Sequence, residues 1–209
     1  RGHTVVCTID AGEDAKWDGS ALASADVVIE FTTPATAKDN ILKAWERGKP
    51  VVCGTTGWHV EPLQTGLDRQ ALVWSSNFSL GVNIVFAVNA YLSSLMKRFG
   101  GYQPSITEIH HVHKLDRPSG TAKSLAEAIR NAQRVAPHPQ DIACDVPITS
   151  IREGEEPGRH VVSWDGVADR IELVHQAKGR EGFALGAVLA AEWIIGKTGF
   201  HTMEEVLGI

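Results

Sequence analysis

Short apolar, β-branched runs punctuate the first third of the chain: Thr4–Ile9 (TVVCTI), Asp26–Thr32 (DVVIEFT), Val51–Cys53 (VVC) and Ala71–Ser75 (ALVWS). These runs are continuously apolar rather than alternating, which predicts strands buried on both faces, and helix-forming stretches separate them. Thr33-Pro34 offers an N-cap followed by a proline at the first helical turn. The helix that follows carries Ile41, Leu42 and Trp45 on one face and stops at Gly48. A short helix is expected over Pro62–Arg69. Strand, helix, strand in this rhythm predicts a parallel sheet with helices on both sides.

The character changes after a long apolar helix that begins at Phe78. Ser105–His110 reads as a strand, and an amphipathic helix follows with Leu125, Ala128, Ile129 and Ala132 on one face. Three strands come next, Ile148–Arg152, His160–Trp164 and Arg170–His175, with turn residues between them, the pattern of a mixed or antiparallel sheet. The helix Phe183–Ile195 and a short helix after Thr202 return to the style of the first half. The fold class expected is α/β. A Rossmann-like parallel-sheet domain takes residues 1–77 and 183–209, and an α+β domain with a mixed sheet takes 78–182. A dinucleotide-binding half opens with a strand, a Gly-rich turn and a helix, yet the sequence begins Arg1-Gly2-His3 and contains no G-x-G-x-x-G. The reading is that it starts late, lacking roughly 25 residues of a first βα unit.

Composition excludes several classes. With 209 residues the chain can bury a sizeable core, and a net charge of −5 argues against a nucleic-acid binder. Cys7, Cys53 and Cys144 are widely spaced and odd in number, and Cys7 and Cys53 sit in strand-like apolar runs, which fits small buried residues in a reducing cytosol. Phe78–Met96 is long enough to span a membrane but holds Asn83 and Asn89, and Phe183–Ile195 is too short and holds Glu192. Both are expected as buried helices of a soluble, cytoplasmic protein, with no signal peptide ahead of Arg1.

The chemistry concentrates in Glu108–Ala122 (EIHHVHKLDRPSGTA). If the segment is extended, His110 and Lys114 share one face and His111 and His113 the other; if helical, His110 and Lys114 are still neighbours. Cations this close disfavour each other's protonation, which suits proton transfer near neutral pH. An acid/base pair is therefore the first reading and a solvated polar loop the second. A metal site on His111 and His113 comes last, because a lysine stands beside it and no second ligand cluster is evident, so no metal is expected. Pro118-Ser119-Gly120-Thr121 enters a helix, where Ser119 or Thr121 can cap. Free backbone N–H groups there also suit a carboxylate, and glycine lets it approach closely. Gly54-Thr55-Thr56-Gly57 and Ser75–Ser79 close successive strands at the carboxyl edge, where doubly wound sheets bind ligands. Asp10 ends the strand that in such folds supplies an acid to the adenine ribose.

The run E-I-H-H-V-H-K-L-D-R-P-S-G-T-A resembles the pattern E-x-H-H-x-x-K-x-D-A-P-S-G-T-A of the 4-hydroxy-tetrahydrodipicolinate (dihydrodipicolinate) reductase family. Cys53–Gly57 (CGTTG), Ser76–Asn83 (SNFSLGVN) and Phe183–Trp193 (FALGAVLAAEW) resemble it in the same order, so the similarity covers essentially the whole chain. The resemblance implies a cytoplasmic homotetramer in which substrate-domain sheets associate. It implies NADH- or NADPH-dependent reduction of a small dicarboxylate on the way to lysine and diaminopimelate. It further implies that His110 donates and accepts protons and that Lys114 is a second donor. His111, Gly120 and Thr121 would hold the substrate. Asp10, Gly54, Thr55, Thr56, Ser76, Asn77, Phe78 and Ser79 would contact the cofactor. The chain departs from the family in Arg117, where a small residue is usual, and in the lack of a Gly-rich phosphate loop. Residues alone leave two alternatives: another two-domain dinucleotide-dependent dehydrogenase of small acids, which would lack the H-H-x-x-K…P-S-G-T run, and a non-catalytic ligand- or metal-binding module.

Overall fold

In chain order the elements are α1 (Ser20–Ala23), β1 (Val28–Glu30), α2 (Ala37–Glu46), β2 (Val51–Cys53), β3 (Ala71–Trp74), α3 (Leu80–Phe99), β4 (Gln103–His110), α4 (Gly120–Arg134), β5 (Ile148–Arg152), β6 (Arg159–Asp165), β7 (Arg170–Gln176), α5 (Glu181–Ile194), β8 (Gly199–His201) and α6 (Met203–Leu207). The computed structural model describes residues 1–64, 67–134 and 146–209. Two units emerge: Arg1–Phe78 with Ala184–Gly208, and Ser79–Phe183 with Ile209.

The first unit is built on a parallel sheet in the order β1-β2-β3-β8. Its strands are continuously apolar because both faces are covered. Val51, Cys53 and Leu72 pack with Trp17, Leu22, Ile41 and Ala44 on one side. Val52, Ala71 and Val73 pack with Phe78, Ala187, Ala190, Ala191, Ile194 and Met203 on the other. That two-sided burial is the origin of the pattern read from the sequence. On α2, Ile41 and Ala44 are buried and Trp45 donates its indole N–H to Ala71 O at 3.1 Å, whereas Leu42 points outward.

Several expectations fail here for identifiable reasons. Thr4–Ile9 is not a strand: it pairs with no neighbour among the described residues, and Val5 is 79% exposed. A strand exists only as part of a ladder, and β1 remains the edge of this sheet. Helix α2 starts at Ala37 rather than at Pro34. The Thr36 hydroxyl bonds to those of Thr32 and Thr33, at 2.9 Å each, and the chain makes a turn before the helix begins. The helix expected over Pro62–Arg69 is a 3-10 turn at Glu61–Leu63, and Thr65 and Gly66 of that segment lie outside the described residues. Cys53 is buried as expected, Cys7 is only partly covered, and Cys144 lies outside the described residues. Strand β8, too short and polar to signal itself, was absent from the sequence reading.

In the second unit the sheet order is β5-β4-β6-β7, with β4 parallel to β5 and antiparallel to β6, and β6 antiparallel to β7. It is the mixed sheet expected. Ile106, Val162 and Trp164 pack with Ala122, Leu125, Ala126 and Ile129 of α4 and with Met96 of α3. Ser79 caps α3, its Oγ accepting from Val82 N at 3.4 Å. By length and composition α3 could cross a membrane. Here the buried amide of Asn89 donates to Leu125 O of α4 at 3.1 Å, a bond that ties the two helices together.

One glycine in the first unit allows a close backbone approach. At Gly186 of α5 a Cβ atom would fall inside the van der Waals envelope of the Phe78 carbonyl oxygen. Backbone cannot move aside as a flexible side chain can, so Gly186→Ala should sit at the upper end of overpacking costs, about 2–3 kcal/mol. Urea unfolding measures this, and a variant with the parental midpoint would show that α5 does not rest on that carbonyl.

Candidate active site

Strand β4 alternates: Ile106, Glu108 and His110 face the covered side, and Thr107 and Ile109 the other. Pairing register then assembles the site. Glu108 lies opposite His160 of β6, and His110 opposite Arg152 of β5. His160 shares its buried face with Val162 and Trp164. Four polar groups thus converge on a face that is otherwise apolar.

The contacts form a chain. Arg152 Nη2 donates to Glu108 Oε1 at 2.8 Å, with both side chains at 2% exposure or less. Glu108 Oε2 lies 3.1 Å from His110 Nε2 without an aligned hydrogen bond. His110 Nε2 is 3.3 Å from His160 Nε2, the rings meeting edge to face. His160 Nε2 is 3.2 Å from Ser119 Oγ, which in turn accepts from Ala122 N at 3.2 Å and caps α4. Burial pushes the Glu108 carboxyl upward, but the nearby Ser119 and Ser150 hydroxyls and the Arg152 guanidinium outweigh it and hold the pKa at about 2. His110 is shifted downward chiefly by burial; Glu108 pulls it back upward, and the lesser effects of the Lys114 and Arg152 charges lower it further. Burial, aided by His110, brings His160 to about 4. At neutral pH this is one carboxylate beside two neutral imidazoles.

Beyond His110 the chain is neither strand nor helix, so the shared face expected for His110 and Lys114 does not form. A turn intervenes, with Lys114 N bonded to His111 O at 3.2 Å. Lys114 Nζ reaches Asp116 Oδ1 at 2.7 Å, and its charge acts on His110 without touching it. His111 and His113 do lie side by side, ring centroids 6.0 Å apart. Arg152 also fixes this loop, donating to Asp116 O at 2.6 Å and Lys114 O at 3.3 Å. A cis peptide joins the exposed Arg117 to Pro118, and α4 begins at Gly120. Gly120 is exposed with open space where a Cβ would stand, and Thr121 beside it is half-buried. Burial raises the Asp116 carboxyl, yet Lys114 and the Gly120 amide bring it below its ordinary value. Asp116 therefore spans the lysine and the helix entrance.

The remaining candidates lie at strand ends in the first unit and at its edge. Gly54 N donates to Glu30 O at 3.0 Å, and a Cβ at Gly54 would run into the Phe31 ring. Thr55 is buried, its hydroxyl donating to Glu30 Oε2 at 2.8 Å and accepting from Thr32 N at 2.8 Å. Buried Glu30 also takes the Cys53 thiol at 3.0 Å and the Thr32 hydroxyl, and Cys53 is shifted upward by burial and by this carboxylate. Thr56 and Ser76 are exposed at the carboxyl ends of β2 and β3. Asn77 N bonds to Ser75 Oγ at 3.1 Å, Phe78 stacks near Phe31 with centroids 5.4 Å apart, and Ser79 is the buried cap of α3. Asp10 is exposed in a turn, its N–H bonded to Glu13 Oε2 at 2.8 Å; Glu13 pairs with Lys16 at 2.7 Å.

Sequence reasoning gave no role to Glu108, Arg152 or His160. The available signal was a charged or imidazole residue at an inward position of an alternating strand, where water cannot solvate it. What joins them is strand register, which no local pattern carries.

The family model "Dihydrodipicolinate reductase, N-terminus" matches residues 12–78, and "Dihydrodipicolinate reductase, C-terminus" matches residues 81–207. The 4-hydroxy-tetrahydrodipicolinate reductase of Christiangramia forsetii is 40% identical, covering 99% of this chain and 89% of that one. The enzyme of the same name from Archaeoglobus fulgidus is 39% identical, covering 91% and 79%. Among solved structures, dipicolinate-bound dihydrodipicolinate reductase from Paenisporosarcina sp. TG-14 aligns with a TM-score of 0.70 over 86% of this chain and 72% of that one. At 22% identity it speaks to the fold alone.

The buried ion pair gives a stability test. Arg152→Met leaves Glu108 charged and unpaired in the core and should cost about 3–5 kcal/mol. Lys114→Ala removes a solvent-facing pair and should cost at most about 1 kcal/mol. Urea unfolding compares them, and equal losses would show that Arg152 is not the counter-ion on which the strand depends.

Proposed function

The chain belongs to the dihydrodipicolinate reductase family, and from that premise we propose that His110 and Lys114 move the protons of its reaction while the entrance to α4 holds the substrate. The activity is reduction of 4-hydroxy-tetrahydrodipicolinate, through dihydrodipicolinate, to tetrahydrodipicolinate with NADH or NADPH, a step of lysine and diaminopimelate formation. The observation that supports the residue roles is the unbroken run from the last inward residue of β4 to the first turn of α4. Within eleven positions, counted from His110 to Gly120, it presents an imidazole, an ammonium and a glycine-opened helix N-terminus.

The substrate is a dianion, and its carboxylates need cations and N–H donors. Lys114, the His111 ring and the backbone of Gly120 and Thr121 supply them. When bound, the dinucleotide supplies a hydride. The ring that accepts the hydride must also gain a proton, and Lys114 as an ammonium donates it. His110, neutral at working pH, accepts and returns a proton at the site, and the Glu108 carboxylate 3.1 Å from its Nε2 stabilises the imidazolium so formed.

The first unit fits a dinucleotide in a specific respect. Gly54, Thr56 and Ser76 stand at the carboxyl ends of adjacent parallel strands, the ligand edge of such sheets. Thr55 and Phe78 are turned inward and would contribute through their backbone. Asp10 would accept from the ribose hydroxyls. As for assembly, Ile109, Ile151, Val161 and Val174 share the face of the second sheet opposite α4, with Ile151 and Val174 exposed. A homotetramer formed by association of these sheets would cover them.

Two measurements test this reading. His110→Ala and Lys114→Ala should each lower kcat by about a hundredfold or more, with dinucleotide affinity unchanged; near-normal turnover in either variant removes that residue from the mechanism. Secondly, Asp10 and Glu13 oppose a 2′-phosphate, and Lys16, the next basic residue along the chain, is already tied to Glu13 and to Thr8 O at 3.0 Å. NADH should therefore give kcat/KM at least equal to NADPH at physiological salt. A clear NADPH preference would mean that Asp10 does not stand at the ribose.

A further inference from the structure

Glu108, His110 and His160 each offer one oxygen or nitrogen, and these atoms all lie within 4.8 Å of one another, with all three side chains buried. Two of the separations are short: 3.1 Å from Glu108 Oε2 to His110 Nε2, and 3.3 Å between the two imidazole Nε2 atoms. A tetrahedral ion bound through bonds of about 2.0–2.1 Å holds neighbouring ligand atoms about 3.3 Å apart. The ligand spacing of such a site is thus largely built. A second observation stands apart from the spacing. Among the described residues Glu108 Oε2 is buried and takes no aligned hydrogen bond, although Arg152 donates to the other oxygen of the same carboxylate. A fold seldom leaves a buried carboxylate oxygen without a donor, and a cation in front of it meets that need.

We propose that Glu108, His110 and His160 form a binding site for a divalent cation of the zinc class, and that an ion held there shuts the reductase off. Two imidazoles and one carboxylate favour zinc, cobalt, nickel or copper over magnesium or calcium. Ser119 Oγ lies beside these three, 3.2 Å from His160 Nε2. Arg152 already holds part of the carboxylate's charge, so the ion binds reversibly and is no structural fixture. The inhibition, unlike the site, rests on the proton-transfer role given to His110, because a metal on Nε2 takes the lone pair that role requires. The metal reading that the sequence places last falls on His111 and His113, and of these His113 is largely exposed and reaches Glu155 at 3.4 Å.

The test uses the full chain, stripped with a chelator, and titrates it with Co2+ followed by visible absorption. One equivalent per chain, with the intense bands of a four-coordinate nitrogen and oxygen site, is the expected result; the pale spectrum of an octahedral ion would overturn the proposal. The bands should vanish in His160→Gln and persist in His111→Gln, and the reverse would also overturn it. A buried substitution can unfold the sheet, so a zinc-edge anomalous difference map of the unsubstituted protein serves as a test without variants. A peak among the three residues is expected, and its absence at saturating zinc refutes the site. Stoichiometric Zn2+ should lower turnover at least about tenfold. If the Co2+ bands form while Zn2+ leaves turnover intact, the inhibition is refuted and the fault lies with the role of His110.

Discussion

A buried ion pair organises the second unit. Glu108 and Arg152 stand on adjacent parallel strands, both withdrawn from water, and neither would be tolerable inside without the other. Arg152 does more than neutralise. Its remaining N–H groups reach backbone oxygens at Ile151, Lys114 and Asp116, so one guanidinium fastens a strand, a carboxylate and the loop beyond His110. That loop has no regular structure of its own. The position of Lys114 therefore follows from a side chain thirty-eight residues away.

The first unit solves a similar problem with the same kind of group. Its turns after β1 and β2 are short and polar, and Glu30 gathers them by accepting from Thr55, Cys53 and Thr32. The indoles of Trp58 and Trp74 close on Thr55 O from the other side, at 2.8 and 3.1 Å. Both units thus stiffen an exposed, irregular segment by anchoring it to a carboxylate under the surface. Such rigid support is what allows loops to present ligand-binding groups at fixed positions.

Much of this architecture could be read from the sequence, because burial on both faces leaves a mark that needs no partner to interpret. Val51–Cys53 and Ala71–Ser75 became β2 and β3, and the two sheets came out parallel and mixed as expected. Thr4–Ile9 carries the same mark and is not a strand, since composition records suitability for a sheet and not the presence of a neighbour. The site was legible along the chain and opaque across it. His110, Lys114 and Gly120 stand in one motif, while Arg152 and His160 enter only through register. The expected pairing of His110 with Lys114 failed on a single turn at Val112 and His113, which no periodicity announces.

Asp116 carries a consequence for how anions enter. Its carboxylate is tied to Lys114 at 2.7 Å and to the amide of Gly120, the two groups best suited to receive an external acid. With Lys114 and Gly120 in the substrate roles proposed above, the resting loop is already self-complexed, and an incoming carboxylate would arrive by exchange. An internal competitor of this kind acts at an effective concentration of order millimolar or above. Simple monocarboxylates at ordinary concentrations should be excluded by it. A dicarboxylate, which can gain a second foothold before the first exchange is complete, has the means to displace it. Selectivity for dianions would then arise from a carboxylate that makes no contact with the bound ligand.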